Sequence, residues 1–144
     1  MEPTEGYILY RKGQYKFQLA QSASIQLEVV SVDEEIVTPF VTLTPGGTLT
    51  LKQGYAWDGI SGPRFVRDTS SSMRGALTHD ALYQLLRGGA LPDEYRKEAD
   101  QEFRRICRLD GMNRFRAWYF YRAVRRFGGS AADQGKKRQV LQAP

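Results

Sequence analysis

The chain contains very little thiol and imidazole: its 144 residues include one cysteine and one histidine. A single thiol, that of Cys107, excludes an internal disulfide, which suits a protein that folds in a reducing cytoplasm. One histidine and one cysteine are also too few for a structural zinc site. We therefore expect Cys107 to be a small buried hydrophobe on a helix face.

Long apolar stretches are missing as well. No run of the sequence approaches the roughly 20 apolar residues that a membrane-spanning helix needs. The N-terminal stretch MEPTEGYILYRKG begins acidic and has no apolar core, so we expect no secretory signal. Hydrophobic residues still make up 41% of the chain and aromatic residues 12%, which is enough for one globular domain with a core.

The net charge of +5 is concentrated in the C-terminal half. Residues 1–86 carry seven Lys or Arg and nine Asp or Glu, whereas residues 87–127 carry eleven and six, and residues 128–144 three and one. A basic half attracts polyanions such as nucleic acid, acidic lipid headgroups or an acidic protein face. The alternative is a solvated helical surface.

The first part of the chain, residues 6–57, has the composition and alternation of β-strands. Four β-rich stretches are predicted, at 15–21, 24–32, 35–44 and 48–57. The last two are separated by the turn signal Pro45-Gly46-Gly47. Pro39 lacks an N–H and marks an edge or a break in the third stretch.

From about Ser70 the spacing of apolar residues changes to that of helices. Three helices are predicted between residues 70 and 128, with glycine stop signals at Gly88-Gly89, Gly111 and Gly128-Gly129. In the third helix the spacing predicts one buried stripe, formed by Met112, Phe115, Tyr119, Ala123 and Phe127.

These elements predict a single α+β domain over residues 1–128. A small N-terminal antiparallel β-sheet is followed by three α-helices, and the short link at 88–93 makes the first two helices an antiparallel hairpin. Residues 129–144 are polar and basic, and we expect them to form a flexible tail.

The single histidine, His79, lies in the stretch GALTHDALYQLLR at 75–87. Tyr83 follows it by four residues and shares its helix face, whereas Asp80 points about 100° away. On the second helix, Asp100 borders apolar surface. The hairpin is therefore expected to bring Asp100 against His79 and Tyr83.

A histidine held by a carboxylate through one ring nitrogen can take a proton from water with the other nitrogen. The carboxylate fixes the tautomer and stabilises the imidazolium, as in catalytic triads. The alternative is structural, because a partly buried His79 paired with Asp100 or Asp80 would hold the two helices together. The sequence leaves both interpretations open.

The carboxylate of Asp80 remains available for a cation, and Ca²⁺ takes several oxygen ligands. The upstream stretch GYAWDGISGP at 54–63 is rich in glycine and contains Asp58. We expect Asp80 and Asp58, with backbone carbonyls at Gly59 and Gly62, to form a calcium site. The alternative is that Asp58 caps a tight turn for which Gly59 supplies a permissive backbone.

The motif HDALY, followed by EADQEF, resembles the signature of the secreted calcium-dependent phospholipases of the A-two class. The resemblance covers roughly residues 54–107. It implies hydrolysis of a phospholipid ester by base-activated water, with calcium as cofactor.

Carried over to this sequence, the resemblance assigns a role to each residue of the motif. It makes His79 the base that activates water and Asp80 a calcium ligand. Asp100 would orient the histidine, and Tyr83 would support it through a hydrogen bond.

Four longer stretches together look like an uncharacterised family of small proteins from tailed-phage genomes and prophages. They are GYAWDGISGP, MRGALTHDALYQLLR, YRKEADQEFRRIC and DGMNRFRAWYFYRAVRRFGG. This resemblance implies a phage- or prophage-encoded protein located in the bacterial host cytoplasm or in the virion. Its partners would then be phage structural proteins.

The third helix carries a second group of candidate binding residues, opposite the predicted stripe: Arg114, Trp118, Tyr121, Arg122 and Arg125. Arginine and aromatic side chains together can stack bases, bind phosphates or anchor a protein interface. Basic residues on the second and third helices also favour an anionic membrane surface. The alternative is that the two aromatic residues pack on the sheet and the arginines are solvated.

The sequence thus predicts a phospholipase-like hydrolase that uses His79 and Asp100 to activate water for ester hydrolysis. The alternative is a non-catalytic virion or assembly component in which the same pair is structural. A nucleic-acid-binding protein that uses the third helix is the third hypothesis.

Overall fold

The computed structural model describes residues 2–13, 17–58 and 69–132. Strands occupy the N-terminal part of these residues and helices the C-terminal part, so the α+β prediction is confirmed. The described strands are β1 Thr4–Glu5, β2 Tyr10–Lys12, β3 Phe17–Leu19, β4 Ala23–Gln26, β5 Ile36–Val37, β6 Val41–Leu43, β7 Thr48–Leu51 and β8 Ala56–Trp57.

The strands form two sheets where the sequence predicts one. The larger sheet has the order β1-β4-β7-β6-β5 and the smaller β2-β3-β8. All pairs are antiparallel except β1 with β4, which run parallel because the β2–β3 hairpin lies between them in the chain. Pro39 falls in the break between β5 and β6, and Pro45-Gly46-Gly47 turns the chain from β6 into β7, as predicted.

Strand β4 is shorter than the alternation over 24–32 predicts. It ends at Gln26. Leu27 N–H still donates to the Gly47 carbonyl at 2.7 Å, but the backbone N–H groups after it do not join a ladder. Those of Glu28, Val29 and Val30 all donate to one carboxylate oxygen of Glu102. The side chain of Glu102 is fully buried, so it replaces the missing strand partner with an acceptor from the helical half.

The helices are α1 Ser70–Arg87, α2 Arg96–Leu109, α3 Arg114–Phe127 and the short α4 Gly129–Ala132, with a 3-10 turn at Asp93–Tyr95 before α2. Thr69 and Ser72 form a capping box at the start of α1. Helices α1 and α2 approach closely at Gly75, where an added Cβ would lie 2.7 Å from Cys107 Sγ. Cys107 is buried in this contact, as predicted.

The core has two parts. The first lies between the sheets and α1 and includes Leu19, Ile25, Leu49, Trp57, Leu77 and Leu82. The second lies between α2 and α3 and includes Phe103, Cys107, Ala117, Phe120 and Val124. Helix α2 therefore contributes to both parts, because Ala99 and Ile106 belong to the first.

The buried stripe predicted for the third helix is only partly confirmed, because Met112 and Ala123 are buried and Tyr119 is half-buried. Phe115 and Phe127 are exposed, and the buried face consists of Ala117, Phe120, Ala123 and Val124. The small alanine side chains let α3 lie against α2, where Phe120 stacks on Phe103 at 6.5 Å between ring centroids. Since α3 packs on a helix, Trp118 does not pack on the sheet and is half-exposed.

Helix α4 begins where the flexible tail is predicted to begin. Its last residue, Ala132, is buried in the first part of the core. Residues 133–144, the rest of the predicted tail, lie outside the described residues. No helix in the described ranges is both long enough and apolar enough to cross a bilayer.

Candidate functional site

The carboxylate of Asp100 is the centre of a polar network between three helices. It is fully buried on α2, and Oδ1 accepts hydrogen bonds from His79 Nε2 and from the Tyr83 hydroxyl, each at 2.6 Å. Oδ2 accepts from Arg125 Nη1 of α3 at 2.8 Å. The structure therefore brings His79, Tyr83 and Asp100 together, as the hairpin predicts.

The network keeps Asp100 ionised. Burial alone would raise the pKa of this carboxyl, but the hydrogen bond and charge of His79 lower it, and Tyr83 and Arg125 add to that effect. The net pKa of Asp100 is below its ordinary value. Burial raises the pKa of Tyr83, so its hydroxyl remains protonated and donates to the carboxylate.

The ring of His79 is held in place by packing as well as by its hydrogen bond. It lies against Tyr83, with centroids 4.0 Å apart, and against Phe103 at 5.3 Å. The side chain keeps 15% of its surface exposed. Its hydrogen bond to Asp100 uses Nε2, and within the described residues no hydrogen bond uses Nδ1. Nδ1 is thus the ring nitrogen that the contact with Asp100 leaves unused.

Arg96 forms a second layer around this network. Its Nε donates to the Tyr83 hydroxyl at 3.2 Å, and its Nη2 donates to the carbonyls of Val124 at 3.2 Å and Arg125 at 2.6 Å. These carbonyls are in the last turn of α3, and that of Val124 also accepts from the Gly128 N–H at 2.9 Å. A Cβ at Gly128 would lie 2.7 Å from the same hydroxyl, so the end of α3 closes over Tyr83.

Asp80, the neighbour of His79, has a separate partner. The hydroxyl of Tyr55, which precedes β8, donates to Asp80 Oδ2 at 2.5 Å. Burial raises the pKa of Asp80, although Tyr55 and the charges of Arg87 and His79 oppose this, and Asp58 adds to the increase. Asp80 is thus a largely enclosed carboxylate with one oxygen committed to a tyrosine.

The predicted calcium ligands are only partly described. Asp58 is exposed, and its negative charge acts on Asp80. Gly59 and Gly62 lie outside the described residues. Among the residues of known placement, no group of three or more His, Cys, Asp or Glu side chains could hold a metal ion.

Three side chains of the site are not predicted from the sequence. For Arg96 the sequence does contain an indication, because Arg96 lies four residues before Asp100 and so shares its helix face. Arg125 and Tyr55 are each 25 residues from the carboxylate that they bind. No spacing rule connects residues so far apart, so only the packing of α3 and of the sheet on the hairpin identifies them.

The fold and the site define an α+β protein whose helical hairpin presents a histidine on a buried carboxylate. Residues 35–124 match the family model described as a protein of unknown function, DUF1353. Since this match spans more than half of the chain, the protein belongs to the DUF1353 family. The matched region contains His79, Asp80, Tyr83 and Asp100. Neither a curated protein nor a solved structure matches the chain.

Proposed function

We propose that the protein is a hydrolase in which His79 activates water for attack on an ester, with phospholipids as the substrate class. One observation carries the proposal: His79 Nε2 lies 2.6 Å from the fully buried carboxylate of Asp100 while the ring stays partly exposed. A general base must be oriented and must also reach its substrate. The sequence resemblance to the calcium-dependent phospholipases supports the choice of substrate.

In this mechanism Nδ1 of His79 removes a proton from water, and the resulting hydroxide attacks the ester carbonyl. The tetrahedral intermediate then expels the alcohol oxygen, which takes the proton back from the imidazolium, so that ester and water become acid and alcohol. Asp100 keeps the proton on Nε2 and stabilises the imidazolium. A base of this kind contributes about 10²–10⁴ to the rate.

The proposal includes a calcium ion. Its proposed ligands are the carboxylates of Asp80 and Asp58 and the backbone carbonyls of Gly59 and Gly62. The two carboxylates fit the hard-oxygen chemistry of Ca²⁺, and a cation would offset the burial that raises the pKa of Asp80. When bound, the ion would polarise the ester carbonyl. Added CaCl₂ should then raise the melting temperature of the wild type and leave that of Asp80→Asn unchanged.

The hydrolase is tested by assaying dispersed phospholipids and a simple ester with three purified proteins. Wild type should hydrolyse them, His79→Gln should lose activity by at least about 10²-fold, and Gln84→Ala, at an exposed position of the same helix, should keep it. Equal activity in wild type and His79→Gln would reject the proposal. Circular dichroism and thermal melting would show that all three proteins are folded.

A second candidate is a non-catalytic phage virion or assembly component. It is favoured by the bonds of Asp100 and Arg96, which connect α1, α2 and α3 as a structural brace would. Under this hypothesis Asp100→Asn lowers the melting temperature but leaves assembly per folded molecule intact. Under the hydrolase hypothesis the same substitution also lowers the turnover of the folded fraction.

A further inference from the structure

Helix α3 exposes a surface that neither the core nor the histidine site uses. Its sequence RFRAWYFYRAVRRF contains five arginines and no acidic residue. Five side chains on one side of the helix are exposed, and we call them the α3 outer face: Arg114, Phe115, Trp118, Arg122 and Arg126. The face therefore combines positive charge with large aromatic rings.

The exposure of these rings is substantial. Phe115 is 71% exposed and Trp118 is 47% exposed. Leu109, at the end of α2 and so at the turn into α3, is 67% exposed. Exposed apolar groups gathered at one place and surrounded by charge mark an interaction surface more often than scattered single residues do.

We propose that the α3 outer face binds the surface of an anionic lipid bilayer. Arginine side chains bind lipid phosphates and extend their apolar stems along the interface, while Trp, Phe and Leu enter the boundary of the acyl chains. The helix lies on the membrane, consistent with the lack of a spanning helix among the described residues.

The structure favours a bilayer over single-stranded nucleic acid as the occupant. Base stacking needs free ring faces, but Phe115 packs against Trp118 at 6.0 Å and edge-on against Tyr119 at 5.5 Å. Leu109 offers no π-face, although its aliphatic side chain suits an acyl environment. The face is uniformly basic, which complements a bilayer rich in acidic headgroups.

This inference deepens the proposed function. It rests on that function only for the statement that the bilayer supplies the phospholipid substrate. Arg125 connects the helix that carries the α3 outer face to the histidine site, because it lies on α3 and its guanidinium binds Asp100. Binding is measured without turnover, so the two proposals fail separately. His79→Gln should bind vesicles as tightly as the wild type even though it loses hydrolysis.

Tryptophan fluorescence gives a direct test, because the chain has two tryptophans and burial shields one of them from the vesicle surface. Trp57 is 1% exposed, whereas Trp118 is on the outer face. Vesicles of ether-linked phosphatidylcholine and phosphatidylglycerol in equal parts should shift the emission of Trp118 to shorter wavelength. Brominated lipid should quench it, and Trp118→Phe should abolish the change.

The vesicle partition coefficient should fall about fivefold for Arg122→Gln and at least about tenfold for Trp118→Ala. Phe40→Ala, equally exposed at 47%, and Arg11→Gln on β2 are matched controls that should change nothing. Vesicles of pure phosphatidylcholine should bind weakly, and high salt should weaken binding to the mixed vesicles.

Three results would overturn the bilayer assignment. The first is unchanged Trp118 emission with anionic vesicles, and the second is equal partition to anionic and neutral vesicles. The third is binding of a single-stranded oligonucleotide that quenches Trp118 while vesicles have no effect, which would assign the face to nucleic acid.

Discussion

Asp100 and Glu102 lie two residues apart on α2, and both carboxylates are fully buried, yet their surroundings differ. Asp100 faces the helices and accepts from the side chains of His79, Tyr83 and Arg125. Glu102 faces the sheet side and accepts from three consecutive backbone N–H groups and from Arg105. Two acids of one short motif thus point to opposite sides of the helix.

The two carboxylates differ in the kind of group that they bind: Glu102 binds backbone amides, whereas Asp100 binds an imidazole. Backbone amides neither gain nor lose protons at ordinary pH, so the partners of Glu102 can only hold the loop at 28–30 in place. The partners of Asp100 include an imidazole, which can change protonation state and is partly exposed. Of these two carboxylates, that of Asp100 is therefore the one in contact with a side chain of the kind that serves as a general base.

The largest expected effect is on stability and concerns Glu102. In Glu102→Ala, three backbone N–H groups and Arg105 Nε lose their acceptor, so we expect the free energy of unfolding to fall by about 3–5 kcal/mol. Urea denaturation measures it. Glu28→Ala is the matched control, because Glu28 is an exposed acid whose Oε2 lies 3.8 Å from Arg105 Nη1. This substitution should change the free energy of unfolding by less than about 1 kcal/mol. Equal losses in both variants would refute the structural role of Glu102.

The next effect concerns Asp100 and depends on pH. Because its folded pKa is lowered, its ionised form adds stability above the unfolded pKa, and this stability is lost as pH falls through the folded value. Asp100→Asn should therefore cost about 3 kcal/mol at neutral pH.

The cost of Asp100→Asn should shrink below about pH 4, where the unfolded carboxyl becomes protonated. Urea denaturation of wild type and variant across this range tests it, with Asp93→Asn at an exposed site as control. A cost independent of pH would mean that the ionic bonds of Asp100 contribute nothing.

The smallest effect concerns one donor to Asp100. Tyr83→Phe removes the hydroxyl that donates at 2.6 Å, while His79 still donates to the carboxylate and Arg125 still forms an ion pair with it. We expect a loss of about 1 kcal/mol in the free energy of unfolding. Tyr121→Phe serves as control, since no hydrogen bond of its hydroxyl is present among the described residues. A loss as large as that of Asp100→Asn would show that the three donors act as one unit.

Much of the site follows from local rules. Four-residue spacing places His79 and Tyr83 on one face of α1, and a short link makes α2 the antiparallel neighbour, so the approach of Asp100 is predictable. The choice of buried face on α3 is not. Phe115 and Phe120 each belong to a regularly spaced apolar set, and spacing alone does not say which set meets α2.

The sequence by itself determined the α+β class, the three main helices and the hairpin that joins His79 to Asp100. These depend on capping, turns and periodicity, which act over a few residues. The tertiary structure alone decided that Arg125 binds Asp100, that Tyr55 binds Asp80, that Glu102 binds the backbone at 28–30 and that the outer face of α3 stays exposed. Such contacts join residues distant in the chain, and they form only when whole elements pack and each buried polar group must find a partner.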